Sequence, residues 1–351
     1  MTTIDAMRIF VPATLSFLFG IILTPFLTYF LYKHKFWKPK AGKVALDGTA
    51  ALEFNRLHEK KEVGTPRSGG ILVWGSVLLT ALLLAALAQM SPDAFGTWAF
   101  ISREQTWLPF AALIVGSLVG FIDDLWEVRG RGGLPLRIRL VAVALVSFLC
   151  AWWFYYKLGV SAISFPFISG PVELGILFIP FFILVALSLY AGAVVDGLDG
   201  LSGGVYGSIF AAYAGIAFFQ SQFNIAAFCA AVVGGLLAFL WFNIPPARFY
   251  LSETGTMGLT LALTVVVFLT DLRGAGHGLM VLPVIGLLLV VTVLSVLVQI
   301  ASKKIFHRKL LRVAPLHHHF EAIGWPAYKV TMRYWVVGVV CAIIGMGIAL
   351  L

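Results

Sequence analysis

Ten apolar stretches, each about as long as a bilayer crossing demands, divide this 351-residue chain and leave few choices of fold. A helix needs roughly 20 predominantly apolar residues to traverse the hydrocarbon core of a membrane. The stretches lie near 8–32, 69–90, 106–122, 138–156, 174–191, 202–220, 224–242, 256–270, 278–301 and 332–351. The chain is 60% hydrophobic and 12% charged, whereas a soluble domain is about one quarter charged. Its apolar surface is too large for one water-soluble core, so the expectation is an all-α polytopic membrane protein. No internal repeat, long linker or low-complexity tract divides it, so residues 1–351 are expected to form one domain. The first stretch is too long for a cleaved signal peptide and lacks a small-residue cleavage site, so it is expected to remain as a membrane helix. The short run 160–172, with Pro166, Gly170 and Pro171, is expected to be a re-entrant piece or a small exported β-hairpin. Cys150, Cys229 and Cys341 lie in apolar stretches and read as buried hydrophobes.

Charge orients the stretches. Of the 25 Lys and Arg, 21 lie in or at the edges of the odd-numbered loops and three in the even-numbered ones. Basic residues mark cytoplasmic loops, so the odd loops are expected in the cytoplasm and both termini outside. The net charge of +9 then reflects orientation and anionic lipid rather than nucleic acid. The odd loops also hold Asp123, Asp124, Asp196, Asp199, Glu253 and the run His317-His318-His319, so a candidate site gathers on one face.

Each cluster has a plain reading and a chemical one. Gly64-Thr65-Pro66-Arg67-Ser68-Gly69-Gly70 is either a basic turn before a helix or a phosphate contact whose glycines expose backbone N–H groups. Asp123 and Asp124 end an apolar stretch, where paired carboxylates are costly unless solvated, paired with Arg129 and Arg131, or bound to a cation. Carboxylates together with substrate phosphates suit Mg²⁺, and an unliganded one nearby can serve as a base. Asp196 and Asp199 are three residues apart, which one helical turn would place on one face. Glu253 suits a helix N-terminus or a metal, and Phe249 and Tyr250 suit base stacking or the headgroup region. Consecutive helical residues point about 100° apart, so one or two of the three histidines can face a common site as phosphate donors or a proton shuttle.

Taken in order, Gly64-Thr65-Pro66 with Gly69-Gly70, Gly120-Phe121-Ile122-Asp123-Asp124, Asp196-Gly197-Leu198-Asp199-Gly200-Leu201, and Ala314-Pro315-Leu316-His317-His318-His319-Phe320-Glu321 with Gly324-Trp325-Pro326 resemble the phospho-N-acetylmuramoyl-pentapeptide transferases of bacterial peptidoglycan synthesis. The resemblance runs from about residue 58 to the C-terminus, and the triple histidine is its most specific part. It implies ten helices with periplasmic termini in the cytoplasmic (inner) membrane. It also implies Mg²⁺-dependent transfer of phospho-MurNAc-pentapeptide from its UDP carrier to undecaprenyl phosphate, giving lipid I and UMP, by an enzyme that forms a homodimer. By similarity Asp123 is the base, Asp124 assists, Asp196 shapes the metal and nucleotide site, Glu253 ligates Mg²⁺ with Asp123 and Asp196, and His318 contacts the pyrophosphate. Substrate contacts are expected from Lys60, Lys61, Arg67, Gly197, Leu198, Asp199, Tyr250, His317 and His319.

The chain departs from the family pattern in several places. Ala193 and Tyr190 stand where the family has asparagines, and Ser252-Glu253-Thr254-Gly255-Thr256 replaces Gly-Asp-x-Gly-Ser. Arg67 replaces a threonine, and Lys60 and Lys61 adjoin a one-residue insertion. Two rival readings remain: a sister enzyme moving another sugar-1-phosphate onto a polyprenyl phosphate, and an inactive lipid-binding or transport homologue, which Tyr190 and Ala193 favour.

Overall fold

In lipid every backbone polar group must be satisfied within its own segment, which turns a long apolar stretch into a helix. The computed structural model describes residues 3–39, 42, 63–102, 106–164, 170–272 and 277–351. Its long helices are α1 (Thr3–Lys33), α2 (Gly70–Met90), α3 (Trp107–Val128), α4 (Leu136–Lys157), α5 (Phe178–Ala191), α6 (Leu201–Phe219), α7 (Phe223–Asn243), α8 (Ser252–Leu272), α9 (Leu287–Phe306) and α11 (Ala327–Ala349). A short helix, α10 (Leu316–Ala322), carries the three histidines. Among the described residues ten helices are long and apolar enough to span a membrane, as the hydropathy pattern predicts, α5 only together with the 3₁₀ turns on either side of it (Gly175–Val195).

The ninth stretch differs from expectation. Pro283 starts a four-residue helix, Leu282–Ile285, and Gly286 separates it from α9. The break leaves a spanning helix that begins nine residues later than the apolar run at 278. The 160–172 run is a minimal hairpin in which β1 (Ala162–Ile163) pairs antiparallel with β2 (Val172–Glu173).

Helix α8 is the axis of the bundle. Residues 254–271 of α8 are all buried, and α2, α3, α5 and α6 pack around it. At one end of α8, Asp271 accepts N–H donations from Ser164 (2.9 Å) and Leu279 (3.2 Å), which ties the hairpin to the bundle. At the other end stands Glu253. Helices α1, α4, α9 and α11 turn large apolar side chains outward, Phe26, Val141, Leu297 and Ile343 among them, as a lipid-facing surface requires.

The approach of α3 to α8 depends on Gly120. A Cβ there would collide with the main-chain carbonyl of Glu253. Gly120→Ala must therefore push the two helices apart at the level of the acids. Overpacking of this kind costs about 1–3 kcal/mol. A lowered unfolding temperature in a detergent thermal-shift assay is the expected result; an unchanged one would mean the contact is slack.

Candidate active site

The described residues of the odd-numbered loops meet at the Glu253 end of the bundle, where Asp124 joins loops one, three and seven. It is fully buried at the C-terminal end of α3. Its Oδ2 accepts from the Ser68 hydroxyl (3.0 Å), the Ser252 hydroxyl (2.5 Å), the Thr254 hydroxyl (2.5 Å) and the Thr254 N–H (3.1 Å). Its Oδ1 accepts from Arg67 Nε at 3.2 Å. Burying a carboxylate is tolerable only with such pairing. Arg67 also bonds Glu127 Oε2 at 2.8 Å, and Lys38 holds Glu127 Oε1 at 2.9 Å. Burial works against the Arg67 charge, but Asp124, Glu127 and Glu253 outweigh it and hold the guanidinium above its usual range. The partners anticipated for the acidic pair, Arg129 and Arg131, are instead exposed.

Ser252 joins three loops. Its hydroxyl accepts from the Ser68 N–H (2.8 Å) while donating to Asp124, and its own N–H donates to Asp196 Oδ2 (2.8 Å). It sits at φ 54°, a left-handed conformation unusual for a serine. Asp196 is held from its other oxygen by the Ser202 hydroxyl at 2.6 Å. Asp199 does not share a helical face with it. A short 3₁₀ turn, Gly192–Val195, ends at Asp196, and Asp199 turns away to the Ala247 N–H (3.4 Å).

Asp123, 2% exposed, accepts from the Leu134 N–H at 2.6 Å. Arg139, from the first turn of α4, lies beside it with Nε 3.9 Å from Oδ1. The same guanidinium holds Glu253 Oε1 at 2.6 Å, and the Tyr190 hydroxyl donates to Glu253 Oε2 at 3.1 Å. Glu253 is thus more than a helix cap.

Helix α10 brings two histidines inward. His317 and His318 are 0% and 3% exposed, and a Cβ on Gly197 would meet the Nε2 atoms of both. His318 Nδ1 lies 2.8 Å from Glu321 Oε2, an arrangement that orients the ring with Nε2 toward loop five. His319 faces outward and accepts from the Arg312 N–H at 3.2 Å. Behind this helix Trp325 is stacked on Phe320 (4.8 Å) and covered by Arg333 (4.1 Å).

Several expected substrate contacts are used otherwise. The N–H groups of Gly69 and Gly70 donate to the carbonyls of Tyr250 (2.8 Å) and Leu251 (3.2 Å), so they stitch loop one to loop seven. Phe249 is fully buried against Phe239 and Phe242, out of reach of a nucleobase, while Tyr250 is half-buried. Leu198 is in the apolar core at 6% exposure. Lys60 and Lys61 lie outside the described residues.

Sequence reading passed over Glu127, Arg139 and Asn243. Glu127 is four residues after Asp123 on one helix, a spacing that places both on one face. Asn243 is buried and pins loop five to loop seven, accepting from the Gly200 N–H and donating to the Phe249 carbonyl, each at 2.8 Å. Asp123, Asp124 and Glu127 form a group whose ligand atoms lie within 4.8 Å of one another, close enough to hold a metal ion; Asp196 and Glu253 fall outside that group. All donors are carboxylate oxygens, the chemistry hard divalent cations prefer.

Comparison with known proteins bears on this arrangement. Residues 106–271 match the family model described as "Glycosyl transferase family 4". The chain is 33% identical to the phospho-N-acetylmuramoyl-pentapeptide-transferase of Geobacillus sp. (strain WCH70), covering 95% of each chain. It is 31% identical to the protein of that name from Bacillus subtilis (strain 168), again over 95% of each. The Listeria monocytogenes protein is 33% identical over 94% of this chain and 95% of its own.

Proposed function

The chain belongs to the phospho-N-acetylmuramoyl-pentapeptide-transferase family of membrane enzymes, and from that premise we propose that it makes lipid I and UMP from UDP-MurNAc-pentapeptide and undecaprenyl phosphate. The observation that carries this reading is the meeting of Asp123, Asp196, Glu253, Arg67, Arg139 and His318 at one end of the bundle. A pyrophosphate must be held there without repulsion from the acids, and phosphoryl transfer asks mainly for positioning and charge neutralisation. Arg67, Arg139, His317 and His318 supply the positive and donor groups. Gly197, lacking a Cβ, lets both imidazoles pack directly against loop five, and the roles of Tyr250, Asp199, His319, Lys60 and Lys61 toward the nucleotide and muropeptide rest on family membership alone.

Asp123 takes the proton of the lipid phosphate. The freed phosphate oxygen bonds the phosphorus attached to the sugar, and that phosphorus releases its bridging oxygen, which departs in UMP with the bonding electron pair. Mg²⁺, when bound, would supply charge neutralisation at the pyrophosphate. Asp123 and Glu253, with Asp196 beside them, would hold it. Their oxygens accept fewer donors than those of Asp124, and Arg139 already bridges Asp123 and Glu253. The bacterial cytoplasmic membrane, cytoplasmic odd loops, periplasmic termini and a homodimer complete the reading, which family membership and the charge pattern support.

Purified protein given Mg²⁺, undecaprenyl phosphate and UDP-MurNAc-pentapeptide is expected to release UMP only when the lipid is present. Release from UDP-GlcNAc in place of the muropeptide donor would favour the sister reaction. No release from either donor by folded protein would overturn the assignment.

A further inference from the structure

We propose that Tyr190 is a positioning residue of this site, and that its phenol fixes the carboxylate of Glu253 for work beside Asp123. The proposal rests on the transferase reading for its kinetic part and on geometry for the rest.

A glutamate at the start of a helix has three side-chain torsions and can place its carboxylate in many directions. One cation on one oxygen does not choose among them. Here Arg139, from α4, holds Oε1 at 2.6 Å, and Tyr190, from the last turn of α5, holds Oε2 at 3.1 Å. Two donors from two different helices leave one orientation. The phenol is rigid because its ring is 6% exposed and packed into the apolar core, so only the hydroxyl reaches the polar side. Arg139 cannot perform the task alone, since it is shared with Asp123 at 3.9 Å and moves if either acid moves. Hydrogen bonds to charged groups are roughly twice as strong as neutral ones, so the phenol is a real restraint.

Reach makes the pairing specific. An aspartate at position 253 would hold its carboxylate one methylene further back, beyond hydrogen-bond distance of a hydroxyl that now stands at 3.1 Å. Tyr190 therefore suits a glutamate and not an aspartate. The two residues are 63 positions apart and act as one unit.

The test is Tyr190→Phe, which keeps the ring and removes the hydroxyl, made in the parent and in Glu253→Asp. A misplacement of ~1 Å at a catalytic group can cost about 100-fold. Tyr190→Phe is therefore expected to lower kcat by about 10- to 100-fold with KM little changed and the unfolding temperature nearly that of the parent. In the Glu253→Asp background the same change is expected to do nothing more. Tyr206→Phe is the control, because Tyr206 is also buried and its hydroxyl has no hydrogen-bond partner among the described residues. A second readout needs no turnover: the Mg²⁺ concentration giving half the maximal thermal stabilisation of substrate-free protein, expected to rise in Tyr190→Phe. Parent-like kcat, an equal loss in both backgrounds, or a matching loss in Tyr206→Phe would overturn the proposal. If the parent itself releases no UMP, the transferase reading fails, and the Mg²⁺ midpoint alone decides whether Tyr190 positions Glu253.

Discussion

Asp123→Asn is expected to slow UMP release by about 10²–10⁴-fold, the range that a positioned acid or base contributes. The substitution is nearly isosteric. The amide oxygen can still accept from the Leu134 N–H, so the loop after α3 keeps its anchor. Three things disappear: the ability to take a proton, the negative charge facing Arg139 Nε at 3.9 Å, and a ligand charge toward Mg²⁺. With Mg²⁺ raised to saturation, loss of the charge should leave substrate binding at least as strong, because the donor is anionic. KM is therefore expected to hold or fall while kcat collapses. An unfolding temperature within a few degrees of the parent would separate this chemistry from misfolding. A loss smaller than about threefold would remove Asp123 as the base and make it a structural acceptor for Leu134.

The contrast with Asp124 shows how much of this could be read from the residues. Both acids were visible as a costly pair at the end of an apolar stretch, and both proved to be buried. Nothing in their adjacency said that one would become a junction saturated by donors from loops one and seven while the other would face the Leu134 N–H and Arg139. That division follows from partners 56 to 130 positions away. Arg139 is a similar case. It enters the sequence only as one of the basic residues of the odd-numbered loops, yet one turn into α4 it reaches Glu253, 114 residues distant.

Periodic and additive signals carried over well. The number of spanning helices rests on hydropathy, and the meeting of the odd loops at one end follows from their alternation. Two of three consecutive helical histidines turned inward, as a step of about 100° per residue requires. Signals that depend on what a group touches carried over poorly. Gly69 and Gly70 suited a ligand, but neighbouring carbonyls took their N–H groups. Phe249 suited stacking, but the core claimed it. Tyr190 was a mark against activity when read alone. In space it supplies a hydroxyl to the longer acid that this chain also carries, so two departures from the family pattern meet in one hydrogen bond.

Glu253→Gln and Glu127→Gln should separate two ways of holding Mg²⁺. Glu127 belongs to the tightest acidic group, with Asp123 and Asp124. Both of its oxygens, however, are already taken by cations, Lys38 at 2.9 Å and Arg67 at 2.8 Å. Asp124 is likewise committed to Arg67 and to hydroxyl and N–H donors. A divalent ion at that group must compete with two fixed positive charges, whose repulsion is strong where water is scarce. Glu253 faces one guanidinium and one neutral phenol, and that guanidinium also borders Asp123. Charge balance therefore favours the Asp123–Glu253 side. Glu253→Gln is expected to raise the Mg²⁺ concentration for half-maximal UMP release by at least about tenfold, since the loss of a ligand charge costs more than about 1.4 kcal/mol, a factor of ten. Glu127→Gln is expected to shift it less than about threefold while lowering the unfolding temperature, because Lys38 and Arg67 lose a charged partner. The opposite pattern, a large shift in Glu127→Gln and a small one in Glu253→Gln, would move the ion to the Asp123, Asp124 and Glu127 group and leave Glu253 as a partner of Arg139 alone.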